Sequence, residues 1–95
     1  MKTVVTTPPV DIALRTLDDD GRQRVHAWFD QLRNWDGDET VRENSYPLKD
    51  IPGVYVLRTN TDFRIFFKIE GDTITILDIS KKQTIMASGH IAGVT

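Results

Sequence analysis

Cysteine is absent from this chain of 95 residues, which excludes disulfide bonds and thiolate metal ligands. Only two histidines are present, and their positions do not give the spacing of a metal site. No apolar run approaches the length of a transmembrane helix, and the N-terminal residues lack the apolar core of a signal peptide. We therefore expect a cytoplasmic protein without a membrane partner, a metal or a cofactor.

A strong positive charge is also lacking. The formal net charge is −2, and the acidic excess lies before Asp50. A protein that binds nucleic acid through broad electrostatic attraction is normally basic, so recognition of phosphate would have to be local. A hydrophobic fraction of 39% and a charged fraction of 27% are typical of a globular protein, and we assign residues 1–95 to one domain.

The first third of the chain predicts a short strand at Val4 and Val5, followed by two amphipathic helices. Pro8 and Pro9 stop the strand and suit the first turn of a helix. Apolar residues then recur at helical spacing in two segments. They are Val10, Ala13, Leu14 and Leu17 in the first helix, and Val25, Trp28, Phe29, Leu32 and Trp35 in the second.

Polar residues mark the ends of these helices. Thr7 is predicted to cap the first helix, and Asp19 or Asp20 is predicted to accept a backbone N–H at the start of the second. Residues 36–52 have little periodicity and predict a connecting loop, with Tyr46 and Leu48 as its anchors.

Residues 53–80 contain three apolar runs separated by short polar turns, which predicts a three-stranded antiparallel meander. The turn at Gly71 and Asp72 would place Glu70 opposite Thr73. The side of the sheet expected to face the helices then carries Phe63, Ile65, Phe67, Ile69, Ile74 and Ile76. The other side, called the open face below, is expected to carry Arg64, Phe66, Lys68, Thr73, Thr75, Leu77 and Ile79. Asp78 falls on the helix-facing side, where Arg15 or Arg22 would be its partner.

The length of the first turn of the meander decides where Arg58 lies. A five-residue loop over residues 59–63 places Arg58 and Arg64 together on the open face, whereas a four-residue loop separates them. Lys81 and Lys82 follow the last strand and could join them. Guanidinium groups bind phosphate oxygens in bidentate fashion. The alternative is that both arginines form surface ion pairs with Asp62 or nearby carboxylates.

The helical pair, the Tyr-x-Leu-Arg strand ending at Arg58, the Phe-Arg-Ile-x-Phe strand around Arg64 and the final apolar strand together resemble the RelE/ParE superfamily, the small toxins of type II toxin–antitoxin systems. The resemblance implies an α+β fold, in which an N-terminal helical hairpin packs on a twisted antiparallel sheet of three to four strands. The N-terminal strand would lie at the edge of that sheet. It also implies a cognate antitoxin as partner.

Residue roles follow from the resemblance to the RNA-cleaving members. Their strand arginine stabilises the scissile phosphate, and Arg64 occupies its place. A basic residue after the last strand does related work, and Lys82 is its nearest match, while Arg58 and Lys81 would bind substrate. The implied activity is that of a ribosome-associated, metal-independent mRNA endoribonuclease that inhibits translation. His90 is the candidate acid or base, since imidazole titrates near neutrality.

The chain also departs from those nucleases. Val54 and Val56 stand where lysines are common, and Met86 stands where a catalytic tyrosine is expected. One alternative is therefore a ParE-like protein that inhibits DNA gyrase without catalysis. Another is a family member that has lost toxicity and acts as a binding module.

An apolar strip on the open face is the predicted binding surface for the antitoxin. It consists of Val54, Val56, Phe66, Leu77 and Ile79. Monomeric proteins seldom expose a large apolar patch without a use, and a disordered segment could fold onto this one. The alternative is that the chain's own residues 85–94 cover this strip.

Overall fold

A five-stranded sheet with helices on one side forms the fold in the computed structural model, which describes residues 1–59 and 63–81. The elements are β1 (Thr3–Thr6), α1 (Pro8–Thr16), α2 (Asp19–Arg33), α3 (Glu39–Glu43), β2 (Ser45–Pro47), β3 (Val54–Arg58), β4 (Phe63–Glu70) and β5 (Thr73–Lys81). The strand order is β1-β5-β4-β3-β2. The α+β class, the antiparallel meander β3-β4-β5 and the edge position of β1 confirm the predictions. None of the helices in the described ranges is long and apolar enough to span a membrane.

The sheet is mixed and larger than predicted. β1 runs parallel to β5, with Val4 opposite Ile74, so the sheet is not wholly antiparallel. The predicted loop over residues 36–52 contains α3 and β2, which bring the described elements to three helices and five strands. The prediction of a helical hairpin on three to four strands therefore has too few helices and strands. A helix of five residues and a strand of three give no usable periodicity, which is why the sequence pattern missed them.

The start of each helix differs in detail from the prediction. Thr7 occupies the N-cap position of α1, but its side chain makes no capping hydrogen bond. The N-cap of α2 is Asp18, whose Oδ1 accepts a hydrogen bond from the backbone N–H of Gly21 at 2.7 Å. Asp19 and Asp20 instead form the first turn of α2, where negative charge is favourable.

The core lies between the helices and one face of the sheet, as predicted. The two helices contribute Val10, Leu14, Val25, Trp28, Phe29 and Leu32, while α3 adds Val41. The sheet contributes Leu57, Ile65, Phe67, Ile74, Ile76 and Ile79, with Phe63 and Ile69 packed against them. Phe67 is fully buried and stacks on Tyr55, with their ring centroids 5.6 Å apart.

The β4-β5 hairpin has the predicted register only near its turn. Glu70 lies opposite Thr73 and Phe67 opposite Ile76, and Gly71 has a φ of 57°, which glycine adopts without strain. The register then shifts by one residue between Phe66 and Phe67, so that Leu77 is the extra residue of a β-bulge.

The bulge changes which face the last residues of β5 occupy. Phe66 pairs with Asp78, and Ile65 pairs with Ile79. Ile79 therefore lies in the helix-facing core, and Asp78 is exposed on the open face, which is the reverse of the prediction for both residues. The hydroxyl of Thr7 donates to the carbonyl of Ile76 at 2.9 Å, which supplies a partner where the ladder is interrupted.

Candidate functional site

Arg58 and Arg64 lie directly opposite each other on the open face, at the end of the β3-β4 ladder. Five residues separate them, which confirms the longer of the two predicted loops. The hydroxyl of Thr59 donates to the carbonyl oxygen of Phe63 at 2.7 Å, and Nη1 of Arg64 donates to the same oxygen at 3.1 Å. These bonds tie the two ends of the turn together and hold the backbone that carries both arginines.

Neither arginine is neutralised within the described ranges. The ion pairs there join Lys2 to Asp36, Arg22 to Asp19, Arg24 to Asp20, Arg33 to Asp30 and Lys68 to Glu70. Arg58 is exposed and Arg64 is half-buried. Like charges directly opposite each other on a sheet are destabilising, so this pair does not exist for stability. Asp62, the suggested ion-pair partner, lies outside the described residues.

Tyr46 is a member of the site that the sequence analysis missed. It lies on β2 opposite Val56, which places it on the open face. The residue is 37% exposed, so it is not the internal anchor of a loop that was predicted. The Cζ atom of Arg58 lies 4.6 Å from the centroid of the Tyr46 ring, which is a cation–π contact. The site therefore contains an exposed aromatic ring beside two positive charges.

Lys81 does not join the arginines. It pairs with Phe63, whose side chain packs against the core, so the register places Lys81 at the end of the helix-facing side. Ser80 lies opposite Arg64 instead. The prediction that Lys81 shares the open face with Arg58 is wrong because of the bulge at Leu77. The other predicted site residues, Lys82 and His90, and the compared position of Met86 lie outside the described residues.

The bulge brings a carboxylate to the open face. Asp78 lies opposite Phe66, two pairs along the ladder from Arg64 and Ser80, and therefore on the same face. Its Oδ1 accepts from the backbone N–H of Ile79 at 2.8 Å, and its Oδ2 accepts from the hydroxyl of Ser80 at 3.1 Å. The predicted partnership with Arg15 or Arg22 is wrong, since Asp78 is exposed on the face away from the helices.

The predicted apolar strip is smaller than expected. Val54 and Val56 are only 5% and 1% exposed, although they lie outside the helix-facing core cluster. Val56 is flanked in register by Tyr46 and Phe66. Ile79 belongs to the core. The accessible apolar groups among the predicted set are thus Phe66 and Leu77, both half-buried.

Comparisons with known proteins give structural matches only. No protein-family model matches the chain, and no curated protein matches it by sequence. The archaeal RelE-RelB complex from Pyrococcus horikoshii OT3 matches with a TM-score of 0.69 and 21% identity, covering 85% of this chain and 94% of that one. The RelB-RelE antitoxin-toxin complex from Methanococcus jannaschii matches with a TM-score of 0.68 and 16% identity, covering 87% and 95%.

A ParE-type system is also among the matches. The chromosomal ParDE TA system from P. aeruginosa has a TM-score of 0.53 and 19% identity, covering 85% of this chain and 96% of that one. The matched chains are thus covered almost completely, and both branches of the predicted resemblance are represented. The resemblance is confirmed at the level of architecture: this chain has the fold of the RelE/ParE superfamily.

Proposed function

We propose that the chain is the toxin of a type II toxin–antitoxin pair and acts as a ribosome-associated mRNA endoribonuclease. The observation that carries the proposal is the pair Arg58 and Arg64, placed directly opposite each other without a carboxylate partner among the described residues. Such a pair is unfavourable for folding, but two guanidinium groups can grip the oxygens of one phosphate. The resemblance to RelE supplies the substrate class.

The proposed chemistry is cleavage of the RNA backbone by attack of a 2′-hydroxyl on the adjacent phosphate. Arg64 stabilises the negative charge that develops on the phosphoryl oxygens, and Arg58 and Lys82 hold the substrate. One group must accept the proton of the 2′-hydroxyl, and another must protonate the leaving oxygen. His90 is proposed for one of these roles. Asp78, on the same face as Arg64, is the nearest described carboxylate along the ladder for the other.

The first experiment expresses the chain without its antitoxin and compares wild type with Arg64→Ala. We expect wild type to arrest growth and to cut translated mRNA. Loss of one preorganised charge-stabilising group lowers turnover about a hundredfold or more, so Arg64→Ala should relieve both effects. The matched control is Arg24→Ala, which removes the same charge from an exposed ion pair on α2 and should remain toxic.

Inhibition of DNA gyrase is the second candidate function. It is favoured by Val54 and Val56, which stand buried where RNA-cleaving relatives often carry lysines, and by the net charge of −2. Growth arrest with intact mRNA and inhibited supercoiling would establish this candidate and overturn the nuclease. Absence of growth arrest at full expression would favour the third possibility, a non-toxic binding module.

An antitoxin segment is the proposed occupant of the open face. Phe66 and Leu77 offer apolar contacts there, and acidic residues of the segment would neutralise Arg58 and Arg64. Such a segment would block the phosphate site by covering it. Replacing Phe66 and Leu77 by Lys should abolish co-purification with the product of the neighbouring gene. Undiminished co-purification of a folded double variant would exclude this surface.

A further inference from the structure

Within the described part of the chain, the ring of Tyr46 contacts the guanidinium group of Arg58. Tyr46 lies on an edge strand with its ring partly exposed, so its main contribution is not to the core. Arg58, in turn, has no ion pair in the described ranges and faces the like charge of Arg64. A flexible exposed arginine in that position would swing away from its neighbour, because this lowers their repulsion. The ring offers a compensating attraction.

The strand that carries Tyr46 is held at both of its ends. The backbone N–H of Arg58 donates to the carbonyl of Asn44 at 2.8 Å, and that of Leu48 donates to the carbonyl of Val54 at 2.8 Å. The hydroxyl of Ser45 donates to the carbonyl of Val41, a fully buried residue of α3, at 2.7 Å. The ring is therefore presented by a rigid support, as positioning of another side chain requires.

We infer that Tyr46 is a positioning residue, which holds the guanidinium of Arg58 beside Arg64 so that the two form one binding site for an RNA phosphate. The inference builds on the proposed function, because the phosphate is taken to belong to RNA. By this inference, α3 and β2 have a role in the site, because they place the Tyr46 ring at the end of the β3-β4 ladder. Arg58 then pays less conformational entropy when it binds, since its geometry is already set.

The test compares three replacements of Tyr46 by measuring the affinity for a short single-stranded RNA oligonucleotide. Tyr46→Phe and Tyr46→Trp keep an aromatic face and should bind as wild type does or more tightly. Tyr46→Leu keeps an apolar strand residue but loses the ring, and should weaken binding about twofold to fivefold. The free proteins report the contact directly, since the ring current shifts the Cδ proton resonances of Arg58 in wild type and Tyr46→Phe but not in Tyr46→Leu.

A double-mutant cycle separates positioning from a merely structural role. If Tyr46 acts through Arg58, Arg58→Ala should weaken binding less in the Tyr46→Leu background than in wild type. Equal effects in both backgrounds, or wild-type affinity in Tyr46→Leu, would overturn the inference while leaving the nuclease proposal intact. If the wild-type protein binds no RNA, the inference fails, whereas the nuclease proposal is decided separately by the cleavage of translated mRNA on expression. RNA binding that depends on Arg64 but not on Tyr46 would overturn the inference and leave the nuclease proposal standing.

Discussion

The two faces of the sheet differ in the side chains that they place opposite each other. On the helix-facing side, Ile65, Phe67, Ile74 and Ile76 are completely buried against the helices. On the open face, Arg58 lies against Arg64 with no carboxylate between them in the described structure. The first arrangement stabilises the fold, whereas the second costs stability. Violations of this kind are typical of functional sites, and this difference supports the proposal that the open face binds a charged ligand.

Adjacent phenylalanines on β4 give the strongest test of this difference. Phe67 is fully buried, so Phe67→Ala should lower the free energy of unfolding by about 3–5 kcal/mol, a large part of the stability of a domain of this size. Phe66 lies half-buried on the open face, and Phe66→Ala should cost about 1–2 kcal/mol. Urea unfolding of both variants measures the difference. Equal losses would mean that both faces are covered to the same extent.

The bulge offers the next test, because it sends two neighbouring apolar residues of β5 to different environments. Ile79 lies in the core, and Ile79→Ala should cost about 2–5 kcal/mol. Leu77 is half-buried at the bulge, and Leu77→Ala should cost about 1 kcal/mol. Thermal or urea unfolding of the two variants measures both losses of stability. A larger loss of stability for Leu77→Ala than for Ile79→Ala would contradict the bulge. It would indicate the uninterrupted register, in which Ile79 lies on the open face.

The sequence pattern predicted those parts of the fold in which local signals agree. Alternation in β4, the helical periodicity of α1 and α2, and the Gly71 turn each point to a single register or face. It failed at Leu77, where the core-facing alternation of Ile74 and Ile76 shifts by one residue to Ile79, because the prediction continued the strict alternation through the bulge. Every side chain of β5 after Leu77 lies on the face opposite to the predicted one, which explains the errors at Asp78, Ile79 and Lys81 together.

The candidate site was predictable only in part, for a related reason. Arg58 and Arg64 flank a turn within continuous strands, so their pairing depended on the loop length alone, for which the sequence left two alternatives open. Tyr46 lies on a strand of three residues that is defined by its contacts with β3 rather than by its own pattern. Short elements of this kind obtain their stability from tertiary packing, so only the structure could place the ring beside Arg58.

The smallest expected effect concerns the arginine pair, and it has the opposite sign from the others. Arg64→Gln removes the like charge facing Arg58 but keeps a side chain that can donate to the carbonyl of Phe63. We expect the free energy of unfolding to rise by about 0.2–1 kcal/mol, the usual size of a cross-strand pair interaction. Because salt screens exposed charges, the gain should shrink as ionic strength increases. The control is Lys68→Gln, which breaks the exposed pair with Glu70 on the same strand and should be neutral or slightly destabilising. A loss of stability in Arg64→Gln that does not depend on salt would show that Arg64 supports the fold, and the separation between the two faces would not hold at this residue.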